Sequence, residues 1–265
     1  MKYSEEARDI WQVFLAVQRG DYVKRSGFGL CGCYDYDPNE GLNYAHAESD
    51  NEHAFGCEEL AINFCRFFPT LFTTCDWNRI ISLVRYHDLG ETKYGDRPDD
   101  GSQNHEEKNE VELEAFVEAI KPLPTFYREQ LLHDFQCFQK LEVGQKLDSR
   151  DYEVISFAKL CDKAHAPLRG GIYQLYGING SLQHKKDNHG GITDQDQEYA
   201  NITGTMRLVD NWTAHFIDHY HKYPHFDMFF AVLCEMMKDI DGRTFPWLSQ
   251  FIQDKGIGRK YLYGD

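Results

Sequence analysis

The stretch RYHDLGETKYGD, Arg85 to Asp96, ends a run of apolar residues with a His-Asp pair and two further acids. The apolar residues just before it, within IISLV at 80–84, have the spacing of a buried helix face. An imidazole and a carboxylate at the end of such a face are costly to bury unless something pairs with them. A metal ion would do so, and the stretch therefore indicates a metal site at the end of a helix.

The charge of the chain limits its partners. The 265 residues carry 28 basic and 43 acidic side chains, a formal net charge of −15. An acidic surface repels nucleic-acid backbones and anionic membranes, so we expect no nucleic-acid polymer and no membrane as partner. A small anionic substrate remains compatible with this charge if a cation or local basic groups neutralise it.

Neither the apolar segments nor the cysteines indicate an exported protein. Residues 1–10, MKYSEEARDI, lack the apolar region of a signal peptide, and no stretch approaches the ~18 apolar residues of a membrane span. Most of the eight cysteines, such as Cys57 and Cys65, lie in apolar helical patterns that suit reduced thiols. Cys31-Gly-Cys33 lacks a second pair at zinc spacing, so we interpret it as two thiols without a shared role. We expect a cytoplasmic protein.

Helical periodicity dominates the chain, and the alternation typical of β-strands is almost absent. The pattern predicts a helix starting near residue 10 and helices at 53–68, 76–90, 106–120, 125–141, 151–166, 205–221 and 225–240. Asp76 is the predicted N-cap of the helix that leads into His87-Asp88, and Gly90 lies near its end. We therefore predict an all-α fold.

Residues 169–204 interrupt this pattern. They contain seven glycines and polar runs such as HKKDNHGG, which favour a long loop. We predict a helical core at 1–168, a Gly-rich polar insertion or lid at 169–204, and C-terminal helices at 205–265 that pack on the core. The apolar stripe of the last segment is compatible with a homodimer, although such a stripe is more often core.

Four residues could hold a metal: His53, His87, Asp88 and Asp162. Each lies on or at the end of an apolar helix, where an unpaired carboxylate or imidazole is costly. A divalent cation among them would remove that cost. Nitrogen and hard oxygen ligands suit Mn²⁺, Co²⁺, Fe²⁺ or Mg²⁺ better than a structural zinc.

The order of these four residues resembles that of the HD-domain metal-dependent phosphohydrolases. Four segments carry the resemblance, namely RSGF at 25–28, AESDNEH at 47–53, HDLGETKYGD at 87–96 and KLCDK at 159–163. They are similar to the Arg-x-Gly-aromatic, Glu-Ser-x-x-Glu-His, His-Asp-Leu-x-Glu with Gly-Asp, and Lys-x-x-Asp-Lys segments of that family. The resemblance covers roughly residues 7–168 and is closest to the 5′-deoxynucleotidase branch.

The resemblance implies a fold, an activity and a cofactor. The fold is an HD-domain helical bundle, here with a C-terminal helical extension. The activity is that of a phosphomonoesterase, an enzyme that removes phosphate from nucleoside 5′-monophosphates, deoxynucleotides in particular. The cofactor is one divalent metal ion held by His53, His87, Asp88 and Asp162.

The resemblance also implies roles for further residues. Glu91 would act as general base or acid on the attacking water. Asp96 would contact a sugar hydroxyl or share in proton transfer. Arg25 and Lys163 would hold the phosphate, and Phe28 would stack on the sugar or limit it, although core packing is the stronger explanation for this side chain.

Some features leave other functions open. The turn between Phe28 and Glu48 carries the insert CGCYDYDPNEG and is longer than in the deoxynucleotidase branch, so a hydrolase of larger nucleotides, an alarmone or a deoxynucleoside triphosphate, is an alternative. Thr92 after Glu91 weakens the alarmone alternative. A dinuclear-iron HD oxygenase would need His105 and His133 to point inward, and we expect both on the surface. A non-catalytic HD module that binds nucleotides is the last alternative.

Overall fold

The structure is a computed structural model that describes residues 17, 25–33, 48–95, 105–175, 177–241 and 245–256. Within these ranges the regular structure is helical and no strand is present. Ser181 and Arg207 form an isolated antiparallel bridge. The predicted all-α fold is confirmed. The helix predicted near residue 10 and the insert after Cys33 lie outside the described residues.

The described helices follow the sequence pattern closely. They are α1 (Ser26–Leu30), α2 (Asp50–Phe67), α3 (Thr74–Tyr86), a 3-10 turn (His87–Gly90), α4 (Glu91–Tyr94), α5 (His105–Ile120), α6 (Thr125–Glu142), α7 (Ser149–Leu175), α8 (Leu182–Asn188), α9 (Asp194–Thr203), α10 (Leu208–Tyr220), α11 (Phe226–Asp241) and α12 (Leu248–Lys255). Helices α1, α4, α8, α9 and α12 were not predicted. No helix of the described residues is both long and apolar enough to cross a bilayer.

The start of α3 corrects one prediction. Thr73, not Asp76, is the N-cap, and its side chain accepts a hydrogen bond from the backbone N–H of Asp76. Asp76 lies three residues later and accepts a hydrogen bond from the backbone N–H of Thr73 at 3.2 Å. The two residues therefore form a capping box, in which each satisfies a backbone donor of the other.

The prediction of a long loop at 169–204 is wrong. Helix α7 continues to Leu175, with Pro167 inside it, and α8 and α9 occupy much of the rest. A capping box of Thr193 and Asp196 starts α9, and Gly204, with φ of 69°, ends it. The polar exposed faces of these short helices account for the loop-like composition. The predicted domain limits at 168 and 204 stay a prediction.

The chain divides into two compact units, and the boundary falls inside α7. The first unit comprises Met1–Arg25 and Glu48–Asp162. Its core includes the rings of Phe72, Trp77 and Phe157, which meet edge to face with centroids 5.0 to 5.4 Å apart. Aromatic pairs in this geometry stabilise beyond their buried area.

The second unit comprises Ser26–Ala47 and Lys163–Asp265. Phe28 lies in its core with a ring centroid 5.2 Å from that of Tyr173 and 4.8 Å from that of Trp212. Farther along the chain, the rings of Phe226 and Phe230 stack at 5.4 Å, one turn apart on α11. The apolar residues of α10 and α11 are therefore largely core residues of this unit.

Candidate metal centre

The four predicted metal ligands come from three helical elements of the first unit. His53 lies in the first turn of α2, His87 and Asp88 open the 3-10 turn after α3, and Asp162 lies in α7. His53, His87 and Asp162 are only 2, 6 and 2 % exposed. The side chain of Asp88 is 13 % exposed.

A capping box places His53. The N-cap Ser49 accepts a hydrogen bond from the N–H of Glu52 at 3.2 Å, and its own N–H donates to Glu52 Oε2 at 2.8 Å. Helix α2 therefore starts at a defined residue, and His53 follows directly on the buried face that continues with Cys57 and Ala61. The Glu-Ser-x-x-Glu-His segment thus contains its own helix start signal.

The side-chain atoms of the four residues converge. Asp162 Oδ1 lies 3.2 Å from His53 Nε2 and 3.4 Å from His87 Nε2. Asp88 Oδ1 lies 3.1 Å from His87 Nε2, and Asp88 Oδ2 lies 3.7 Å from His53 Nε2. Two ligand atoms each ~2.1 Å from one cation, at right angles, would be about 3 Å apart. The donor types and spacing of His53, His87 and Asp88 therefore match one divalent cation, and Asp162 Oδ1 borders both imidazoles.

The tautomer of His87 supports this assignment. Its Nδ1 lies 2.9 Å from the carbonyl oxygen of Val84. A carbonyl only accepts hydrogen bonds, so Nδ1 must carry the proton and donate it. The lone pair of the neutral ring is then on Nε2, the atom that faces the two carboxylates, which is the arrangement common among metal-binding histidines.

The protonation of the cluster also favours a cation. Burial, together with the charge of Arg25, lowers the pKa of His53 to about 4 against the opposing effects of Asp162 and Asp88. Burial opposes ionisation of Asp88, but the neighbouring His87, Arg25 and His53 outweigh it and lower the pKa of its carboxyl. At neutral pH the cluster therefore offers a neutral imidazole at His53 and a carboxylate at Asp88, which a cation can bind without displacing a proton from either.

Arg25 and Glu91 lie beside the cluster. Arg25 Nη1 is 3.0 Å from Asp88 Oδ2 and 3.8 Å from Glu91 Oε2. Glu91 is 8 % exposed, and its other oxygen is 3.9 Å from Lys108 Nζ. The structure thus brings the predicted phosphate-holding arginine and the predicted general base into one charged group with Asp88.

The other three predicted site residues lie outside the described part of the first unit. Phe28 is 3 % exposed and packs in the core of the second unit. Lys163 is partly buried and follows Asp162 on α7, but it belongs to the second unit. Asp96 lies outside the described residues. The roles of all three toward a substrate stay predictions.

The histidines considered for a second metal at this cluster can be placed in part. The side chain of His133 is 51 % exposed and lies 2.7 Å from Asp151, in agreement with the surface position expected for it. The side chain of His105 lies outside the described residues.

Sequence reasoning missed the role of Lys159. This side chain is 1 % exposed, with Nζ 2.8 Å from Glu142 Oε1 and 3.4 Å from Asp162 Oδ2. The nitrogen also lies 3.8 Å from the centroid of the Phe138 ring. The signal was present in the sequence, because a lysine three residues before a buried aspartate lies on the same face of a helix.

A small cleft adjoins the cluster through Asp88. It is lined by Val17, Asp50, Asn51, Ala54, Arg85, Asp88, Leu89 and Thr92. Arg85 supplies a positive charge there and lies 3.6 Å from Glu58. The lining therefore combines amide, hydroxyl and guanidinium groups that can bind polar ligand atoms.

An all-α chain that gathers a histidine, a His-Asp pair and a distant aspartate around one point resembles a known class of helical domains. The sequence profile of the HD domain matches residues 42–175, about half of the 265-residue chain, and the chain belongs to this family. HD domains bind divalent metals, and the family consists generally of metal-dependent phosphohydrolases. No curated protein matches the chain. The resemblance to the HD family is confirmed; the deoxynucleotidase branch stays a prediction.

Proposed function

We propose that the protein is a metal-dependent phosphomonoesterase that removes the phosphate from nucleoside 5′-monophosphates, deoxynucleotides in particular. The observation that carries the proposal is the convergence of His53, His87, Asp88 and Asp162, with Arg25 and the buried Glu91 beside them. The first four residues would hold the metal. A divalent ion held there supplies Lewis-acid chemistry, which activates water at neutral pH and offsets negative charge on a phosphoryl group.

The remaining charged residues have separate roles in this proposal. Glu91 accepts a proton from the attacking water as the oxygen of that water bonds to phosphorus. The bond from phosphorus to the nucleoside 5′-oxygen breaks, and that oxygen takes up a proton, which yields a nucleoside and inorganic phosphate. Arg25 binds a phosphoryl oxygen through its guanidinium.

The preference for monophosphates is supported by the sequence around the His-Asp pair. Thr92 follows Glu91 in this chain. The alarmone hydrolases have an aspartate at that position, in the pattern His-Asp-x-x-Glu-Asp. The sugar preference rests on the likeness of the four segments to the deoxynucleotidase branch. Both choices are therefore tested best by a panel of substrates that differ only in base, sugar and number of phosphates.

The test is phosphate release from ribo- and deoxynucleoside 5′-mono- and triphosphates. The chelated protein is reloaded in turn with Mn²⁺, Co²⁺, Mg²⁺ and Fe²⁺. We expect metal-dependent release from monophosphates, abolished by His87→Ala and lowered at least ~100-fold in kcat by Glu91→Gln. The matched control is His189→Ala, an exposed histidine outside the cluster, which should behave as the unchanged protein.

Two results would contradict the proposal. Release from triphosphates alone would make the protein a hydrolase of larger nucleotides. Bound metal without release from any nucleotide would favour the non-catalytic binding module or, with two irons per chain at the cluster, the oxygenase.

A further inference from the structure

A second group of ligand-type side chains lies outside the metal centre and shares no residue with it. His133 and Cys137 are one turn apart on α6, and Asp151 lies in the first turn of α7. Their nitrogen, sulfur and oxygen atoms all lie within 4.8 Å of one another. Cys137 is 5 % exposed and Asp151 is 8 % exposed, whereas the His133 side chain is 51 % exposed. The group therefore joins two buried donors to one that reaches solvent.

The geometry distinguishes this group from a catalytic triad. In a Cys-His-Asp triad the two ring nitrogens bind different partners, one the nucleophile and the other the acid. Here the same atom, His133 Nε2, lies 2.7 Å from Asp151 Oδ2 and 3.6 Å from Cys137 Sγ. The sulfur and that carboxylate oxygen are 3.8 Å apart. Three different donor atoms thus face one common point, as the ligands of a metal do.

The distances are close to those of a zinc site. In a tetrahedral site with ligands ~2.0 to 2.3 Å from zinc, the donor atoms lie about 3.3 to 3.6 Å apart. The two distances to sulfur are near this range, and the nitrogen–oxygen distance has to open by about half an ångström. A half-exposed histidine on a helix surface can make that movement by rotation of its side chain.

The surrounding charges orient the carboxylate. Arg79 Nη2 lies 2.5 Å from Asp151 Oδ1 and 2.6 Å from Asp134 Oδ1. The guanidinium therefore fixes the Asp151 carboxylate so that its other oxygen faces His133 and Cys137, and Asp134 balances the positive charge of Arg79. A hydrogen-bonded carboxylate of this kind is typical of metal ligands.

The group borders a depression that is open to solvent. The depression is lined by Arg79, Phe126, Glu129, Gln130, His133 and Asp151. Glu129 lies one turn before His133 on the same helix and is exposed. A metal ion can therefore enter from solvent, and either the Glu129 carboxylate or a water can complete four ligands.

We propose that His133, Cys137 and Asp151 form a second metal site, selective for zinc. An imidazole, a thiolate and a carboxylate together match the borderline-soft character of Zn²⁺ better than that of Mg²⁺ or Mn²⁺. The bound ion would join α6 to the start of α7 across the connection of residues 143–148. The site is independent of the phosphohydrolase chemistry proposed above.

The test uses Co²⁺ as a spectroscopic substitute for zinc in the chelated full-length chain, followed by displacement with Zn²⁺. A cobalt–thiolate bond gives a near-ultraviolet charge-transfer band without any measurement of activity. Because Cys57 Sγ lies 3.5 Å from His53 Nε2, the band is assigned to Cys137 by its loss in Cys137→Ser and its retention in Cys57→Ser. We expect two metal equivalents and the band in the unchanged protein. We expect one equivalent with the band retained in His87→Ala, and one equivalent without the band in His133→Ala.

The variants are chosen to separate a lost ligand from a lost fold. His133→Ala removes a half-exposed side chain, and far-UV circular dichroism checks that the helices remain. Cys137→Ser removes the sulfur, and Cys75→Ser, an exposed cysteine outside both clusters, is its matched control. A band that persists in His133→Ala and Cys137→Ser, or the absence of the band from the unchanged protein, would overturn the second site and leave His133 and Asp151 as a hydrogen-bonded pair.

Discussion

Lys159 is buried in α7 with its ammonium between the carboxylates of Glu142 and Asp162. Lys159 lies three residues before Asp162 on the helix, and its positive charge compensates the charge of the Asp162 carboxylate. A buried charge that loses its partner costs several kcal/mol, whereas a bound cation can take over the compensation. The positive charge of Lys159 therefore stabilises Asp162 most when no metal is bound.

Lys159→Met should destabilise the metal-free protein by about 2 to 4 kcal/mol, because Asp162 loses its neighbouring positive charge. The loss should shrink when a divalent ion is added, since the ion supplies positive charge at the same carboxylate. Urea unfolding in chelator and in Mn²⁺ measures both values. Equal losses under the two conditions would show that Lys159 acts through packing alone.

Asp218 gives a prediction about pH. Burial opposes its ionisation, but the hydrogen bond from Lys255, at 2.8 Å, outweighs this and lowers the pKa of the carboxyl below its usual 3.8. The stability that this pair contributes is therefore complete above pH 3.8 and is lost as the pH falls through the lower folded value. Because both side chains are partly exposed, we expect less than ~1 kcal/mol.

The measurement is the difference in unfolding free energy between the unchanged protein and Asp218→Asn at a series of pH values. The difference should stay constant from neutral pH to about pH 4 and then disappear. Lys255→Met, which removes the same ion pair from the other side, should give the same profile. A difference that grows toward acid pH would contradict the assignment.

At the scale of helices, the capping box of Ser49 and Glu52 determines where α2 begins and so positions His53 in the metal-ligand cluster. Ser49→Ala should cost about 1 kcal/mol of stability, because it removes a hydrogen-bond acceptor from the first turn of α2. It should also weaken metal binding several-fold, since His53 lies in that turn. Calorimetric titration with Mn²⁺ and thermal unfolding measure the two effects.

Thr193→Ala is the matched control for this prediction. Thr193 heads the same type of capping box, with Asp196, at the start of α9 in the second unit. Its loss should lower stability by a similar amount and leave the affinity for Mn²⁺ unchanged. An equal loss of affinity in both variants would mean that metal binding reports general stability and not the position of His53.

Gly90 is a point of close approach between two elements of the first unit. A Cβ atom there would lie 2.6 Å from the backbone carbonyl oxygen of Glu112 on α5. Its φ of −64° is an ordinary helical value, so close packing and not backbone conformation explains the glycine. Gly90 is also the last residue of the 3-10 turn, in agreement with its predicted position near a helix end.

Gly90→Ala should therefore destabilise the protein by about 1 to 3 kcal/mol, because a backbone group cannot rotate away as a side chain can. The 3-10 turn that carries His87 and Asp88 would shift, and metal affinity should fall with it. Gly170→Ala in α7 is the control, since its new Cβ would meet only Val209 at 3.9 Å. We expect it to be neutral or to stabilise by up to ~1 kcal/mol. Chemical unfolding and metal titration of both variants test the contrast.

For the whole molecule, the dominant quantity is the net charge of −15. Like charges repel in the folded state, and salt screens them over about 10 Å at 0.1 M. The melting temperature should rise as NaCl increases from about 10 to 200 mM at neutral pH. The same series near the isoelectric point of 5.2 should show a much smaller rise. A fall with salt at neutral pH would show that specific ion pairs outweigh the general repulsion.

The sequence by itself determined the helical class and most helix positions, and it predicted the four side chains that converge in the first unit. These depend on local periodicity, on capping signals and on motifs read along the chain, which is why α2, α5 and α6 were predicted within a few residues. The prediction of a loop at 169–204 was wrong because it also used only local composition. Short helices with polar surfaces have the composition of loops.

Only the tertiary structure decided which side chains meet. His53 and Asp162 are 109 positions apart, and their contact depends on how α2 and α7 pack. The same holds for the ion pair of Arg25 with Asp88, for the compensation of Asp162 by Lys159 and for the convergence of His133, Cys137 and Asp151. Burial and pairing set the charge and orientation of each of these groups, and both arise from packing between helices that no local pattern records.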